Sequence, residues 1–101
     1  MKITKKVTFI AKEGCIEEVK QLLTDMVAPS IKEAGCLFYY IVQSKQNPRK
    51  FFAVESWENA DALAGHTKTA HYAHYKANYE PFVEHKYSED LDILDAEAYG
   101  F

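Results

Sequence analysis

Hydrophobic and polar positions alternate in some stretches of the chain and recur at helical spacing in the stretches between them. Alternation of apolar and polar residues predicts a strand over residues 3–11, continuous apolar runs predict strands over 36–43 and 51–57, and a last strand is expected over 85–94. Apolar residues three and four positions apart predict helices over residues 15–27, 60–66 and from about 69 to 83. Pro29 should end or bend the first helix, because proline cannot donate a backbone hydrogen bond.

The predicted order of elements is β-α-β-β-α-β, which is the ferredoxin-like split βαβ pattern of an α+β protein. This fold is an antiparallel four-stranded sheet with both helical regions on one face. The 101 residues contain no repeat, linker or low-complexity segment. We therefore expect a single domain over residues 1–101.

The strand over residues 36–43 is apolar on both of its faces. One face carries Leu37, Tyr39 and Ile41, and the other carries Phe38, Tyr40 and Val42. A sheet that helices cover on one side should alternate, because its open side meets water. The second apolar face needs a cover, and a second copy of the chain is the economical one. We therefore expect a homodimer built sheet against sheet.

Composition and charge narrow the classes of partner. The formal net charge is −3 and no block of Lys and Arg occurs, so neither nucleic acid nor an anionic membrane is an expected partner. The N-terminal residues lack the apolar run of a signal peptide, and no stretch approaches the ~20 apolar residues of a membrane span. The two cysteines, Cys15 and Cys36, make no disulfide framework. We therefore expect a cytoplasmic protein with reduced thiols.

Three histidines, His66, His71 and His74, lie close together in the second helical region. The H-x-x-H spacing of the last two would suit a metal, but no carboxylate lies at helical spacing to complete a ligand set, so no metal site is predicted. Any one of these histidines can instead be a surface or helix-capping residue that has no role in binding or catalysis. The functional interpretation is a general base beside a cavity, because imidazole titrates near neutral pH. His66 is the favoured catalytic residue, since it follows Gly65 at a helix break, and His71 is the second candidate.

An aromatic stripe on the last helix favours a partly polar cavity. Tyr72, Tyr75, Tyr79 and Phe82 recur at helical spacing. Such a stripe is typical of a core, but a buried tyrosine hydroxyl needs a hydrogen-bond partner, which fits a helix that roofs a cavity above the sheet. We expect the substrate-binding residues of this cavity to be Trp57, Tyr72, Tyr75, Phe38, Phe52 and Met26. Glu55 would need a partner if it faces inward.

The sequence lacks the motifs that are typical of several classes of enzyme. The chain has no Gly-rich phosphate loop and no G-x-G-x-x-G, C-x-x-C or G-x-S-x-G motif. It is also too short to enclose a flavin or a nicotinamide by itself. We therefore expect no cofactor, and chemistry carried out by side chains on a small, aromatic or otherwise reactive molecule.

The segment EAGC at 33–36 and the run FFAVESWENADALAGHTKTAHYAHY at 51–75 carry a family resemblance. Their pattern is E-x-W followed by H-x-x-x-x-H-x-x-x-Y, carried here by Glu55, Trp57, His66, His71 and Tyr75. This pattern resembles the antibiotic biosynthesis monooxygenase superfamily of dimeric α/β barrels, in particular its quinol monooxygenase-like branch. The resemblance extends over nearly the whole chain in element order.

The resemblance implies cofactor-free oxygenation of an electron-rich phenolic ring by O2. His66 or His71 would take the phenolic proton, Tyr72 or Tyr75 would bind a second oxygen of the substrate, and Trp57 would help to exclude water. The haem-degrading branch uses an asparagine on the first strand and a histidine in the second helical region. Here ITKKVTFIA has no asparagine and Lys76 stands at the helical position, which disfavours haem degradation. The alternatives are isomerisation of a phosphorylated signalling molecule, as in another branch, and non-catalytic binding of a small ligand.

Overall fold

The computed structural model describes residues 1–100; Phe101, the last residue of the predicted domain, lies outside them. The strands are β1 (Ile3–Ala11), β2 (Cys36–Gln43), β3 (Lys50–Trp57) and β4 (Val83–Leu91). The helices are α1 (Ile16–Thr24), α2 (Val27–Ile31), α3 (Ala60–His66) and α4 (Ala70–Asn78), and a 3₁₀ turn follows at Ala96–Tyr99. The predicted α+β, ferredoxin-like fold is confirmed.

The four strands form one antiparallel sheet in the order β2-β3-β1-β4. Alternate residues of each strand face the helices, and the register brings Phe9 opposite Phe51 and Lys86. Side chains from this face pack against α1 and α4 in one core that includes Val19, Leu23 and Tyr75. The sheet has two free edges and does not close into a barrel in a single chain.

The first helical region differs from its prediction near Pro29. The helix predicted over 15–27 ends at Thr24, and a separate helix, α2, begins at Val27. Pro29 lies in the first turn of α2, where backbone N–H groups have no partner within the helix. The proline therefore costs no helical hydrogen bond there, and the chain bends before it rather than at it.

The last helix ends earlier than predicted, and the last strand begins and ends earlier, because of how the strand pairs. The helix predicted to reach about 83 ends at Asn78, because Val83 already pairs with Ala11 of β1. The last strand was expected over 85–94, but it stops at Leu91, opposite Thr4, where β1 is close to its own end. The ends of β4 are thus set by its partner strand.

The face of the sheet away from the helices is partly apolar and exposed. Tyr40, Val42 and Tyr87 are 57%, 47% and 54% exposed. Phe38 and Phe52 lie on the same face, where the Phe38 ring stacks on Tyr40 with centroids 5.2 Å apart. This is the second apolar face that the sequence pattern indicates. Among the residues that the structure describes, no helix has the length and apolar character needed to cross a membrane.

The loop between α2 and β2 packs directly against α3. Gly35 has a positive φ of 82°, and a Cβ built there would lie 2.5 Å from the Cβ of Ala62. The carbonyl oxygen of Gly35 also accepts a hydrogen bond of 2.7 Å from the backbone N–H of Glu58. Only glycine allows both this conformation and this close approach.

We predict that Gly35→Ala lowers the free energy of unfolding by about 2–4 kcal/mol, because it adds a steric clash to an unfavourable φ. Gly14→Ala is the matched control, since Gly14 has a similar φ of 78° but open space around its Cβ position. Urea unfolding of both variants measures the difference. Equal losses in the two variants would show that the contact with Ala62 is unimportant.

Candidate active site

A cavity of about 240 Å³ lies between the sheet and the helices. Its apolar wall is formed by Val7, Phe9, Leu23, Met26, Ala53 and Leu63. Its polar and titratable wall includes Glu55, His66, Tyr72, Tyr75 and Lys86. The cavity is smaller than the roughly 300–1,000 Å³ typical of pockets for drug-sized ligands, so it suits a molecule of about one or two rings.

One carboxylate oxygen joins two histidines at the end of this cavity. Oε2 of Glu33 lies 2.6 Å from Nδ1 of His66 and 2.7 Å from Nε2 of His71. The His66 side chain is 2% exposed, while those of Glu33 and His71 are 14% and 20% exposed. When the Glu33 carboxylate is ionised it only accepts hydrogen bonds, and each of these ring nitrogens is then the donor. In neutral His66 the proton on Nδ1 leaves Nε2 unprotonated and available to a ligand in the cavity.

The break between α3 and α4 turns both histidines toward Glu33. His66 is the last residue of α3, and the Thr69 hydroxyl donates to its carbonyl oxygen at 2.8 Å. The same hydroxyl oxygen caps α4 by accepting a hydrogen bond of 3.2 Å from the backbone N–H of Tyr72. At the other end, Asn59 caps α3 by accepting a hydrogen bond of 2.9 Å on its side-chain oxygen from the backbone N–H of Ala62. This region therefore forms two short helices, each with its own N-terminal cap.

Glu33, His66 and His71 are also the residues of this site that could hold a metal. One ligand atom from each lies within 4.8 Å of the others, and two imidazoles with a carboxylate suit a divalent transition metal. The carboxylate comes from a loop distant in sequence rather than from helical spacing. The histidine partner of His71 is His66, whereas His74 is exposed and lies 3.4 Å from the Asn78 amide nitrogen.

Glu55 faces inward and finds its partner two residues further along the same strand. The indole Nε1–H of Trp57 donates to Oε1 of Glu55 at 2.9 Å. Glu55 is 7% exposed, and this burial raises the pKa of its carboxyl above its usual range, although the Trp57 hydrogen bond and nearby His66 act in the opposite direction. A carboxyl held in this way can act as a proton donor as well as an acceptor.

The buried phenols and the thiol near the site are held in their protonated forms. Burial, more than the neighbouring charges, raises the pKa of the Tyr39 and Tyr75 hydroxyls. Burial, followed by the charges of Glu33 and Glu55, raises the pKa of Cys36 to about 11. The tyrosines are therefore hydrogen-bonding groups rather than bases, and Cys36 is a poor nucleophile.

The predicted site residues fall into three groups in the structure. His66, Tyr72, Tyr75 and Met26 line the cavity. Trp57 and His71 do not line it: the Trp57 ring is fully buried with its centroid 4.5 Å from that of His66, and His71 contacts Glu33. Phe38 and Phe52 lie on the opposite face of the sheet, where Lys6 approaches the Phe52 ring at 5.0 Å.

Sequence reasoning missed two residues of the site, Glu33 and Lys86. Glu33 opens the EAGC segment of the family resemblance, and that was the only available signal for it. Lys86 lies on a strand without clear apolar alternation, so its face was set by the register with Phe9, which the sequence does not reveal.

Comparison with known proteins identifies the family. The family model described as antibiotic biosynthesis monooxygenase matches residues 3–78. Because this match covers most of the chain, the protein belongs to that family, and the resemblance seen in the sequence is confirmed. A comparison with curated proteins gives no significant match.

Solved structures share the fold over nearly the whole chain. A Pseudomonas aeruginosa protein is 30% identical, with a TM-score of 0.88 over 92% of this chain and 94% of that one. A Bacteroides thetaiotaomicron protein of unknown function, described as a possible oxidoreductase, is 30% identical, with a TM-score of 0.83 over 91% of this chain and 97% of that one. An antibiotic biosynthesis monooxygenase structure at 20% identity shares the fold, with a TM-score of 0.82 over 91% and 98% of the two chains.

We predict that Glu55→Gln removes part of the loss of stability that accompanies rising pH. The pKa of Glu55 is raised by folding, so its contribution is complete below the usual glutamate pKa of about 4.3 and declines as pH rises toward the folded value. Glutamine does not titrate, and its amide oxygen still accepts the Trp57 hydrogen bond. Urea unfolding between pH 4 and 8 should show the stability difference moving in favour of the variant as pH increases. A constant difference would contradict the raised pKa.

Proposed function

We propose that this protein is a monooxygenase that oxidises a small hydroxylated aromatic compound, such as a quinol, with O2 and without a metal or organic cofactor. Membership of the family supports monooxygenase chemistry. The observation that carries the proposal is the Glu33–His66 hydrogen bond of 2.6 Å at the wall of a mostly apolar cavity. This hydrogen bond leaves Nε2 of His66 able to accept a proton, and the ring lines a cavity whose size suits the substrate.

Proton transfer to His66 is the first step. Glu33 accepts a hydrogen bond from Nδ1–H of His66, so Nε2 is the nitrogen that accepts the phenolic proton of the substrate, and the Glu33 carboxylate stabilises the resulting imidazolium. The phenolate then passes one electron to O2. The substrate radical and superoxide combine to a peroxide anion, which takes back the proton from His66. The protein need only deprotonate, orient and desolvate the substrate.

The other side chains position the substrate and the base. The hydroxyls of Tyr72 and Tyr75 are available to bind a second oxygen of the substrate, and the Tyr75 hydroxyl stays protonated because it is buried. Trp57 packs behind His66 and keeps water from that side of the ring. His71 acts through Glu33, since it holds the shared carboxylate oxygen from the opposite side.

We predict that His66→Ala lowers kcat by about 10²- to 10⁴-fold, the usual contribution of a general base. His71→Ala should lower it less, because Glu33 can still bond to His66. Oxygen uptake with a panel of quinols, on protein stripped of metals, measures both. His74→Ala is the control, since His74 is an exposed histidine on the same helix as His71.

Each outcome of this experiment separates one candidate function from another. Wild-type oxygen uptake in the double His66→Ala, His71→Ala variant would show that neither histidine is the base. Loss of wild-type uptake on metal removal would assign the reaction to a metal at Glu33, His66 and His71. Binding of quinols without any uptake would favour the ligand-binding alternative.

We also propose a homodimer in which the exposed sheet faces pack together. The support for this dimer is the exposed apolar side chains on that face. We expect the interface to bury more than about 1,000 Å² in total, as stable interfaces do. Two sheets joined in this way would provide the barrel that a single chain lacks.

We predict that Val42→Glu converts the dimer to a monomer, because it places a charge in an apolar contact. Light scattering at micromolar concentration measures the mass. Ile31→Glu is the control, since Ile31 is 53% exposed but lies on α2, on the helical side. A monomeric wild-type protein, or a Val42→Glu variant of unchanged mass, would refute this interface.

A further inference from the structure

Lys86 places an ammonium group in the wall of the cavity. It lies on the helix-facing side of β4, opposite Phe9 of β1, and it lines the cavity together with His66 and Glu55. Its Nζ lies 4.7 Å from the ring centroid of Tyr79 and 5.2 Å from that of Tyr75. Aromatic ring faces therefore surround the charge on the α4 side.

This ammonium has no anionic partner among residues 1–100. Within that part of the chain, no carboxylate oxygen lies within 4.0 Å of Lys86, and no hydrogen-bond acceptor contacts it. The other lysine of the cavity differs, because Lys5 is paired with Asp90 at 2.8 Å. Burial, and then the charge of Lys76, lower the pKa of Lys86. Ring contacts offset only part of the cost of an unpaired, half-buried cation.

We propose that Lys86 is an anion-binding residue that recognises a negatively charged oxygen on an aromatic ligand. This inference rests on the proposed function only in taking the cavity as the substrate site. The anionic oxygen can belong to a carboxylate on the ring or to the phenolate that His66 produces. In either case the ligand ring occupies the apolar part of the cavity while its oxygen meets the free ammonium.

The rest of the cavity is compatible with an anion at this position. Glu55 is the carboxylate whose charge also acts on Lys86, and its pKa is raised by burial, so its neutral form is favoured. Lys76 adds positive charge from α4, and the hydroxyls of Tyr72 and Tyr75 are hydrogen-bond donors. Because Lys5 is already paired, Lys86 is the cation that an incoming anion can reach without breaking an ion pair.

Three matched ligands test the proposal without any need for turnover. They are 4-nitrobenzoate, which carries a carboxylate, 4-nitrophenol, which ionises near neutral pH, and 4-nitroanisole, which is its neutral methyl ether. Calorimetry gives the affinity of each, and the visible absorption of nitrophenolate reports how much of the bound phenol is ionised. The measurement uses the wild-type protein with Lys86→Met, Lys86→Arg and Lys76→Met.

We predict that Lys86→Met weakens the binding of at least one anionic ligand about tenfold or more, in line with the strength of a hydrogen bond to a charged group. Binding of 4-nitroanisole should stay within about twofold. Lys86→Arg should keep most of the preference for the anion. Lys76→Met removes a positive charge that acts on Lys86 from α4 but does not line the cavity, so it should weaken the binding of the anionic ligands clearly less than Lys86→Met does.

The outcomes separate the two sources of the anion. A loss for 4-nitrobenzoate assigns the subsite to a carboxylate. A loss confined to 4-nitrophenol, together with less of the yellow phenolate in the bound state, assigns it to the ionised phenol. Equal affinities in the wild type and Lys86→Met, an equal loss in Lys76→Met, or no binding of any anionic ligand by the wild type would overturn the proposal.

Taken together with the oxygen-uptake measurements, these binding data distinguish a failure of this proposal from a failure of the proposed oxidation. Lys86-dependent binding with no oxygen uptake on any quinol would keep the subsite and remove the monooxygenase function. Oxygen uptake that depends on His66, combined with unchanged binding in Lys86→Met, would keep the function and remove the subsite.

Discussion

The geometry of the site depends on a single oxygen atom that two imidazoles share. Oε2 of Glu33 fixes the ring of His66 through Nδ1 and the ring of His71 through Nε2. The carboxylate reaches them because the loop that carries it packs against α3 at Gly35. The break between α3 and α4 then supplies one histidine from each helix. If Glu33 or the loop that carries it were displaced, His66 would lose the hydrogen bond that orients its ring and leaves Nε2 free.

Around this pair, the cavity combines an apolar body with titratable groups at separate positions. The strand β3 contributes a buried carboxyl at Glu55, and β4 contributes an unpaired ammonium at Lys86. Trp57 lies behind the wall and connects its two sides, since its ring packs against His66 and its N–H bonds to Glu55. A proton acceptor and a cation in one small, largely dry space are well suited to forming and holding an anion.

The elements of this fold were predictable because their signals are local. The alternation in β1 and the continuous apolar run of β2 depend only on neighbours within a few positions. The contacts of Glu33 are not local, since its two histidine partners lie 33 and 38 residues away. Trp57 and Phe52 illustrate a second limit. Strand alternation tells which residues share a face of the sheet, but it does not tell which face the helices cover or which aromatic ring lines the cavity. The end of α4 depended on pairing of the next strand, which is likewise invisible in local sequence.

The charges of β4 have a consequence for how copies of the chain can meet. This edge strand is largely exposed, and it carries Glu84, Glu89 and Asp90 along its length. An exposed strand edge offers unpaired backbone groups to any other strand, which is a common route to aggregation. These carboxylates pair with Arg49, Lys6 and Lys5, so a second strand laid along this edge would crowd charged groups that already have partners within the chain. Along β4, the charged edge of the sheet therefore opposes strand addition by another copy of the chain.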